Sequence, residues 1–196
     1  MRNLPPKETF YIDADKKGLS WKGWKNDYNA ENKNYMATSD ARTIQTLLSK
    51  ISNEQPQIKY VIIDTLNWVM IDDEFLHMKD KGFDKWQDMA YSIMGIVSLA
   101  NVLRNDLTVI FVMHSQTERD DITGSTFTRA KTSGRKIEKI GLESKFTTVL
   151  LAKCIDGKYI FETHNNNSTA KTPMGAFESD EIDNDIMIVI DALKEY

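Results

Sequence analysis

Polar side chains that suit phosphate chemistry follow three apolar runs of the chain. Asp13 and Asp15 follow the first run, Asp64 and Thr65 end YVIIDT, and His114 follows LTVIFVM. Each run predicts a strand, and the second is apolar throughout, as in strands covered on both faces. Because ligands in α/β sheets bind beyond the carboxyl ends of the strands, we expect these side chains to lie together.

Phosphoryl transfer requires a carboxylate for magnesium, a group that orients water, and cations near the developing charge. Asp64 is suited to hold Mg²⁺ largely through water, since this ion keeps much of its hydration shell. Asp15 is suited to polarise the attacking water, and His114 to contact the γ-phosphate through a ring N–H. Lys171, in AKTP, follows the predicted hairpin and is expected on the same side as the other three strand ends, where it is suited to act as a cation, more plausibly on the nucleotide of a neighbouring subunit. Together these residues predict a nucleotide site.

Each residue also has an alternative interpretation. Asp64 followed by a helix is a good helix cap, and Asp13 and Asp15 are common turn residues. His114 alone is more often structural, and Lys171 alone is typical of a solvated loop. A different class of protein, a metal-dependent nuclease or hydrolase, would use the three aspartates as metal ligands.

Hydrophobic periodicity predicts the elements around these residues. A helix capped by Ser39 or Asp40 precedes the second strand, and its apolar stripe has helical spacing. Two helices, 66–80 and 84–104, precede the third strand. Asp156-Gly157 predicts a hairpin between 146–153 and 158–164. The last helix is capped by Asp183 or Asn184. The stripe residues of the first helix are Ala41, Ile44, Leu47, Leu48 and Ile51.

This order predicts one α/β domain over residues 1–196, with a mainly parallel sheet and an antiparallel C-terminal hairpin at its edge. Residues 115–136 have no clear period and are expected to be irregular. Residues 15–38 form a long polar connection, which predicts a functional loop or a hidden short element. Trp21 and Trp24 in that connection are expected either to pack under the sheet or to form a subunit interface.

Composition excludes several classes of protein. The chain has 196 residues and a net charge of −4, which excludes a uniformly basic nucleic-acid binder. Cys154 is the only cysteine, so neither an internal disulfide framework nor a cysteine zinc site is possible. No apolar run is long enough to span a membrane, and MRNLPPKETF has no apolar signal core. These features predict a cytoplasmic protein.

Residues 122–137, ITGSTFTRAKTSGRKI, are basic and contain no acidic residue. Arg129, Lys131, Arg135 and Lys136 are candidates for phosphate contacts with single-stranded DNA, and Phe127 for stacking on a base. The alternative is a solvated loop. Arg135 has a second possible role, in which it faces a nucleotide phosphate.

The chain resembles the RecA-like ATPases, and more closely the small phage-encoded RecA-like ATP-binding proteins of recombination and single-strand annealing. YIDAD, VIIDT, VIFVMHSQ and AKTPMGAF occur in the order of the superfamily's catalytic-acid, magnesium, γ-phosphate-sensing and late lysine segments, and KKGLSWKGW approximates a phage-group stretch. The resemblance implies Asp15, His114 and Lys171 as catalytic residues. It also implies Asp64, Thr65 and Arg135 as residues that bind ATP and Mg²⁺.

The family's phosphate loop, G-x-x-x-x-G-K-[ST], is not found in these 196 residues. Relatives carry it on a strand and helix upstream of the position of Met1. We therefore expect a RecA-like core without its first strand and phosphate loop, and we do not expect tight ATP binding by this chain alone. The implied protein acts with single-stranded DNA as a homo-oligomer or filament in a phage-infected bacterial cell. The alternative is a non-catalytic DNA-binding or assembly subunit that kept the fold without hydrolysis.

Overall fold

A computed structural model describes residues 1–79, 82, 84–133 and 135–196, and at 84, 85, 135, 136 and 140 it describes the backbone alone. The chain separates into two compact units. The parallel-sheet unit comprises Leu4–His114 and Thr132–Lys139. The hairpin unit comprises Met1–Asn3, Ser115–Lys131 and Ile140–Tyr196.

Four parallel strands form the sheet of the first unit, in the spatial order β2-β1-β3-β4. They are β1 (Thr9–Asp13), β2 (Tyr35–Ala37), β3 (Tyr60–Asp64) and β4 (Thr108–Val112). Val61, Ile62 and Ile63 of β3 are completely buried. The continuous apolar run therefore forms a strand covered on both faces, as predicted.

Helices connect and cover these strands. They are α1 (Trp24–Asp27), α2 (Ala41–Glu54), α3 (Leu66–Leu76), α4 (Asp84–Ala100) and α5 (Arg135–Ile140). The predicted stripe of α2 is buried at all five positions, and the Asp40 carboxylate caps it by accepting the Thr43 N–H at 2.7 Å. α3 and α4 begin at the predicted residues and end earlier than predicted, because residues 77–79 and 101–102 form turns; residue 80 lies outside the described residues. The long connection 15–38 contains two short elements, α1 and β2.

The hairpin unit contains two antiparallel sheets. One pairs β5 (Ser115–Arg119) with β6 (Thr126–Ala130), and the other has the order β7 (Leu151–Ile155), β8 (Lys158–Glu162) and β9 (Glu181–Asp183). The predicted turn at Asp156-Gly157 joins β7 and β8, with φ of 49° and 80° at its two residues. The last helix, α6 (Ile186–Ala192), is capped by Asp185 and not by Asp183 or Asn184.

Two expectations about the C-terminal half are wrong. The antiparallel hairpin forms a separate three-stranded sheet and is not an edge of the parallel one. Residues 115–130 form a hairpin instead of an irregular loop. Both of its faces carry polar side chains, so the alternation that identifies a half-buried strand is missing. Asp120 organises the turn by accepting the N–H groups of Ile122 and Thr123.

No helix in the described part of the chain is long and apolar enough to cross a membrane. The chain is thus a mixed α/β protein with a four-stranded parallel sheet and an antiparallel C-terminal sheet.

Candidate functional site

The carboxyl edge of the parallel sheet, where β1, β3 and β4 end, brings the predicted aspartates together. Asp13 pairs with Asp64 on the neighbouring strand, and Asp64 pairs with Val112 of β4. His114 follows two residues after Val112. The sequence prediction that these strand ends share one edge is confirmed.

One carboxylate oxygen of Asp64 accepts a hydrogen bond from Tyr11. Oη of Tyr11 donates to Oδ2 of Asp64 at 2.5 Å, while Oδ1 has no hydrogen-bond partner among the residues that the structure describes. Tyr11 is 2% exposed, and burial together with the neighbouring Asp64 raises the pKa of its phenol. The phenol therefore stays protonated and remains a donor. Asp64 is half-buried, so its second oxygen is available to a ligand.

The alternative in which Asp64 merely caps a helix is wrong. The cap position of α3 is Thr65, and no side chain makes a capping hydrogen bond there. The hydroxyl and N–H of Thr65 instead donate to Oδ1 of Asp15, each at 2.9 Å. The peptide bond between Asp64 and Thr65 is cis.

Asp15 has both carboxylate oxygens engaged. Oδ1 accepts from Thr65, and Oδ2 forms an ion pair with the ammonium of Lys17. The Asp15 side chain is 3% exposed. Burial acts to raise the pKa of Asp15, but the hydrogen bonds from Lys17 and Thr65 together outweigh it, so the pKa lies below its usual value. Asp15 is therefore an ionised, buried carboxylate beside Asp64.

Asp13 supports the loop that follows β1. Its Oδ2 accepts the Gly18 N–H at 2.7 Å and the Tyr35 hydroxyl at 2.6 Å, and the residue is 1% exposed. Within the described residues no group of three metal-binding side chains has a geometry that fits a metal ion. The nuclease alternative, with Asp13, Asp15 and Asp64 as three metal ligands, is therefore not supported.

His114 is exposed, and its backbone N–H donates to Oδ1 of Asn67 at 2.8 Å. Asn67 is 4% exposed and lies in the first turn of α3. This bond ties the end of β4 to the helix that follows β3. The role of the His114 ring toward a γ-phosphate stays a prediction.

Sequence reasoning missed four residues that organise this edge: Tyr11, Lys17, Tyr35 and Asn67. Tyr11 had a usable signal, because it lies two residues before Asp13 on the same strand and so on the same face. Lys17, Tyr35 and Asn67 had no such signal, since their partners are set by a loop, by the pairing of β2 with β1 and by helix packing, respectively.

Lys171 belongs to the hairpin unit. Its backbone pairs with Val149 through two hydrogen bonds of 2.9 and 2.8 Å. In the described part of the chain its ammonium has no ion-pair partner. The prediction that it acts on a neighbouring subunit's nucleotide is untested.

The four predicted DNA-contacting residues lie on different elements. Arg129 is on β6 and pairs with Glu118 of β5 at 2.8 Å, and Lys131 follows β6 in an exposed position. Arg135 and Lys136 begin α5, and their side chains lie outside the described residues. Since Glu118 offsets the charge of Arg129, the hairpin is less basic than the sequence window suggested.

The aromatic residues of the long connection pack inside the unit. Trp21 contacts Tyr11 and Tyr28 edge-on, with ring centroids 6.2 and 6.0 Å away, and Trp24 lies 5.3 Å from Tyr35. These contacts support the interpretation of Trp21 and Trp24 as packing residues, and both side chains are half-buried, while the subunit-interface alternative stays a prediction. Trp21 and Trp24 pack against Tyr11 and Tyr35, whose hydroxyls donate to Asp64 and Asp13 respectively.

A search against protein-family models finds no match to this sequence, and a search of curated proteins finds none that is significantly similar to it.

Proposed function

We propose that the chain is the core of a RecA-like, phage-type ATP-binding protein that acts on single-stranded DNA in recombination or annealing. One observation supports the proposal: the ends of two neighbouring parallel strands, β1 and β3, bring Asp15, Asp64 and Thr65 together, with one Asp64 oxygen open. Ligands of α/β sheets bind at this end of the strands.

The residues present fit a magnesium ion. Asp64 offers one free oxygen while Tyr11 fixes the other, which suits an ion that takes one carboxylate and keeps several waters. When bound, the ion neutralises charge on the phosphates. Asp15 would accept a hydrogen bond from a water molecule only after its ion pair with Lys17 opens, because Lys17 and Thr65 occupy its two oxygens.

The phosphate groups of ATP need further donors. In nucleotide-binding proteins, the phosphates are bound by backbone N–H groups and a lysine in the pattern G-x-x-x-x-G-K-[ST]. These 196 residues do not contain that pattern. The proposal therefore requires a phosphate loop from other residues, whether of a longer polypeptide or of a second chain. In this proposal, Lys171 and Arg135 are the candidates for additional phosphate contacts. His114 is the candidate sensor of the γ-phosphate.

Contacts with single-stranded DNA are assigned to the hairpin β5–β6. Phe127 is 41% exposed on β6, and Lys131 is exposed directly after it. These provide one stacking surface and one phosphate contact. Arg135 and Lys136 are two further basic residues, four and five positions after Lys131 in the sequence. A filament or other homo-oligomer is the arrangement in which Lys171 reaches a second nucleotide.

Calorimetric titration with Mg·ATP tests the proposal. The proteins are the 196-residue chain and a fusion that places a strand, a G-x-x-x-x-G-K-[ST] loop and a helix before Met1. We expect binding by the fusion and not by the chain alone. Asp64→Asn in the fusion should weaken Mg·ATP binding by roughly 10- to 100-fold, the usual cost of losing a carboxylate that holds the ion through water.

The matched control is Asp27→Asn, an exposed carboxylate of the same unit that lies at the end of α1. It should leave binding unchanged. A folded Asp64→Asn fusion that binds Mg·ATP as tightly as its parent would contradict the assignment of Asp64.

A second candidate function is a DNA-binding or assembly subunit without hydrolysis. One observation favours it, since both oxygens of Asp15 are engaged by Thr65 and Lys17 and neither is open to a water. This candidate predicts salt-sensitive binding of single-stranded DNA that does not change when Mg·ATP is added to the fusion.

A further inference from the structure

Lys17 occupies a position that the fold specifies. The chain turns sharply after β1, with Lys16 at φ +58° and its N–H directed to the Asp13 carbonyl at 3.4 Å. Gly18 then donates its N–H to the Asp13 carboxylate at 2.7 Å. With both neighbours fixed on Asp13, Lys17 folds back over Asp15 and its ammonium reaches Oδ2.

The two partners of this ion pair differ in exposure. The Asp15 side chain is 3% exposed, whereas that of Lys17 is 61% exposed. The lysine therefore reaches from solvent onto a buried carboxylate, and it can leave without disturbing the core. Asp15 cannot move in the same way, because Thr65 holds its other oxygen through two hydrogen bonds.

The Lys17 ammonium is also attracted electrostatically by Asp64 and Asp13. Its hydrogen bond to Asp15 is the largest influence that raises the pKa of Lys17, and Asp64 and Asp13 add smaller electrostatic contributions. One lysine thus lies among three carboxylates. The remaining negative charge attracts a further cation to the same edge, and an ammonium and a divalent ion at such short range repel one another.

We propose that Lys17 is a displaceable counter-ion, which covers Asp15 until a divalent cation binds beside Asp64 and then withdraws to expose the carboxylate. This inference rests on the proposed function, since it assigns the cation to Asp64. It explains how a carboxylate with both oxygens engaged becomes available to orient water. Lys17 is a positioning residue, because it acts through Asp15.

Binding of Mn²⁺, used as a paramagnetic probe for Mg²⁺, tests the inference by electron paramagnetic resonance on the 196-residue chain. Lys17→Met keeps much of the aliphatic stem and removes the charge. Without the competing ammonium, we expect Mn²⁺ to bind on the order of tenfold more tightly than to the wild type. Lys22→Met is the matched control, because Lys22 is an exposed lysine of the same loop, and it should leave affinity unchanged. A Lys17→Met protein that binds Mn²⁺ no more tightly than the wild type overturns the inference.

Acetylation rates of individual lysines, measured by mass spectrometry, give an independent readout. We expect Lys17 to react more slowly than Lys22 without a cation, and to react faster once Mn²⁺ is added. Equal rates for the two lysines without a cation would overturn the inference and leave the proposed function intact.

A double variant separates the two hypotheses. Adding Asp64→Asn to Lys17→Met should abolish the gain in Mn²⁺ affinity, which supports both. If the gain persists without Asp64, the cation binds through Asp15, so the displaceable lysine stands and the Asp64 assignment is wrong.

Discussion

Two buried carboxylates of this chain have the same kinds of partner and different surroundings. Asp15 in the parallel-sheet unit binds Lys17 and the Thr65 hydroxyl. Glu162 in the hairpin unit, on β8, binds Lys153 and the Ser168 hydroxyl. Their side chains are 3% and 1% exposed. A lysine and a hydroxyl around a buried carboxylate therefore do not by themselves indicate a functional site.

The difference lies in the elements that hold the lysine. Lys153 is on β7, paired directly with β8, and its side chain is 31% exposed. Ser168 continues the network by accepting the Ala170 N–H at 3.1 Å, so Glu162 fixes the loop before Lys171. Lys17 lies on a loop, and its ion pair has two further carboxylates nearby. The ion pair between Lys153 and Glu162 is therefore expected to stay formed. The ion pair between Lys17 and Asp15 is the one that we propose to open when a cation binds.

The largest expected effect is on stability, and it separates the two groups. Glu162→Gln should lower the free energy of unfolding by about 2–3 kcal/mol, below the roughly 3–5 kcal/mol for a fully buried pair because Lys153 reaches solvent. Asp15→Asn should cost less than about 1 kcal/mol, because Lys17 is exposed and the amide still accepts from Thr65.

Urea unfolding followed by circular dichroism measures both variants. Tryptophan fluorescence reports the parallel-sheet unit separately, because all four tryptophans lie between residues 21 and 86. If Asp15→Asn proves as costly as Glu162→Gln, the Asp15 pair is structural, and the comparison fails.

A smaller effect is expected in acid. Burial acts to raise the pKa of Glu162, but Lys153 and Ser168 outweigh it, and the pKa is lowered, as it is for Asp15. A carboxyl group whose pKa is lower in the folded state stabilises the fold above its unfolded pKa of about 4. That stability is lost as the pH falls through the folded pKa.

Stability should therefore change little between about pH 7 and pH 5 on account of these two groups and decline below about pH 4. Glu162→Gln should make the decline shallower, and Asp15→Asn should do so less, as measured by thermal unfolding across that range. An equally steep decline in Glu162→Gln would show that the Glu162 network contributes nothing in acid.

Several elements were predictable because their signals are local. The buried run before Asp64, the stripe of α2 and the Asp156-Gly157 turn each depend on a few adjacent residues. The hairpin β5–β6 was missed because Thr117, Thr128 and their neighbours leave polar side chains on both faces. Nothing in the sequence separated its strands from a loop.

The candidate site was predictable only in part, for a related reason. Asp15 and Asp64 could be placed because they follow strands, and parallel strands end at one edge. Among their partners, Tyr11 had a signal in its position two residues before Asp13, whereas Lys17 had none, since its placement depends on the positive φ of Lys16. The pairing of Arg129 with Glu118 likewise required the register of a hairpin that the sequence did not reveal.

The most direct test of the central claim, that a divalent cation binds at the carboxyl edge, is a Mn²⁺ titration followed by two-dimensional ¹H–¹⁵N NMR. Bound Mn²⁺ broadens the signals of nearby amides. We predict that the amides of residues 13–18 and 64–67 broaden first in the wild type and that Asp64→Asn removes this selectivity. Selective broadening at another acidic surface, or an unchanged pattern in Asp64→Asn, would contradict the account.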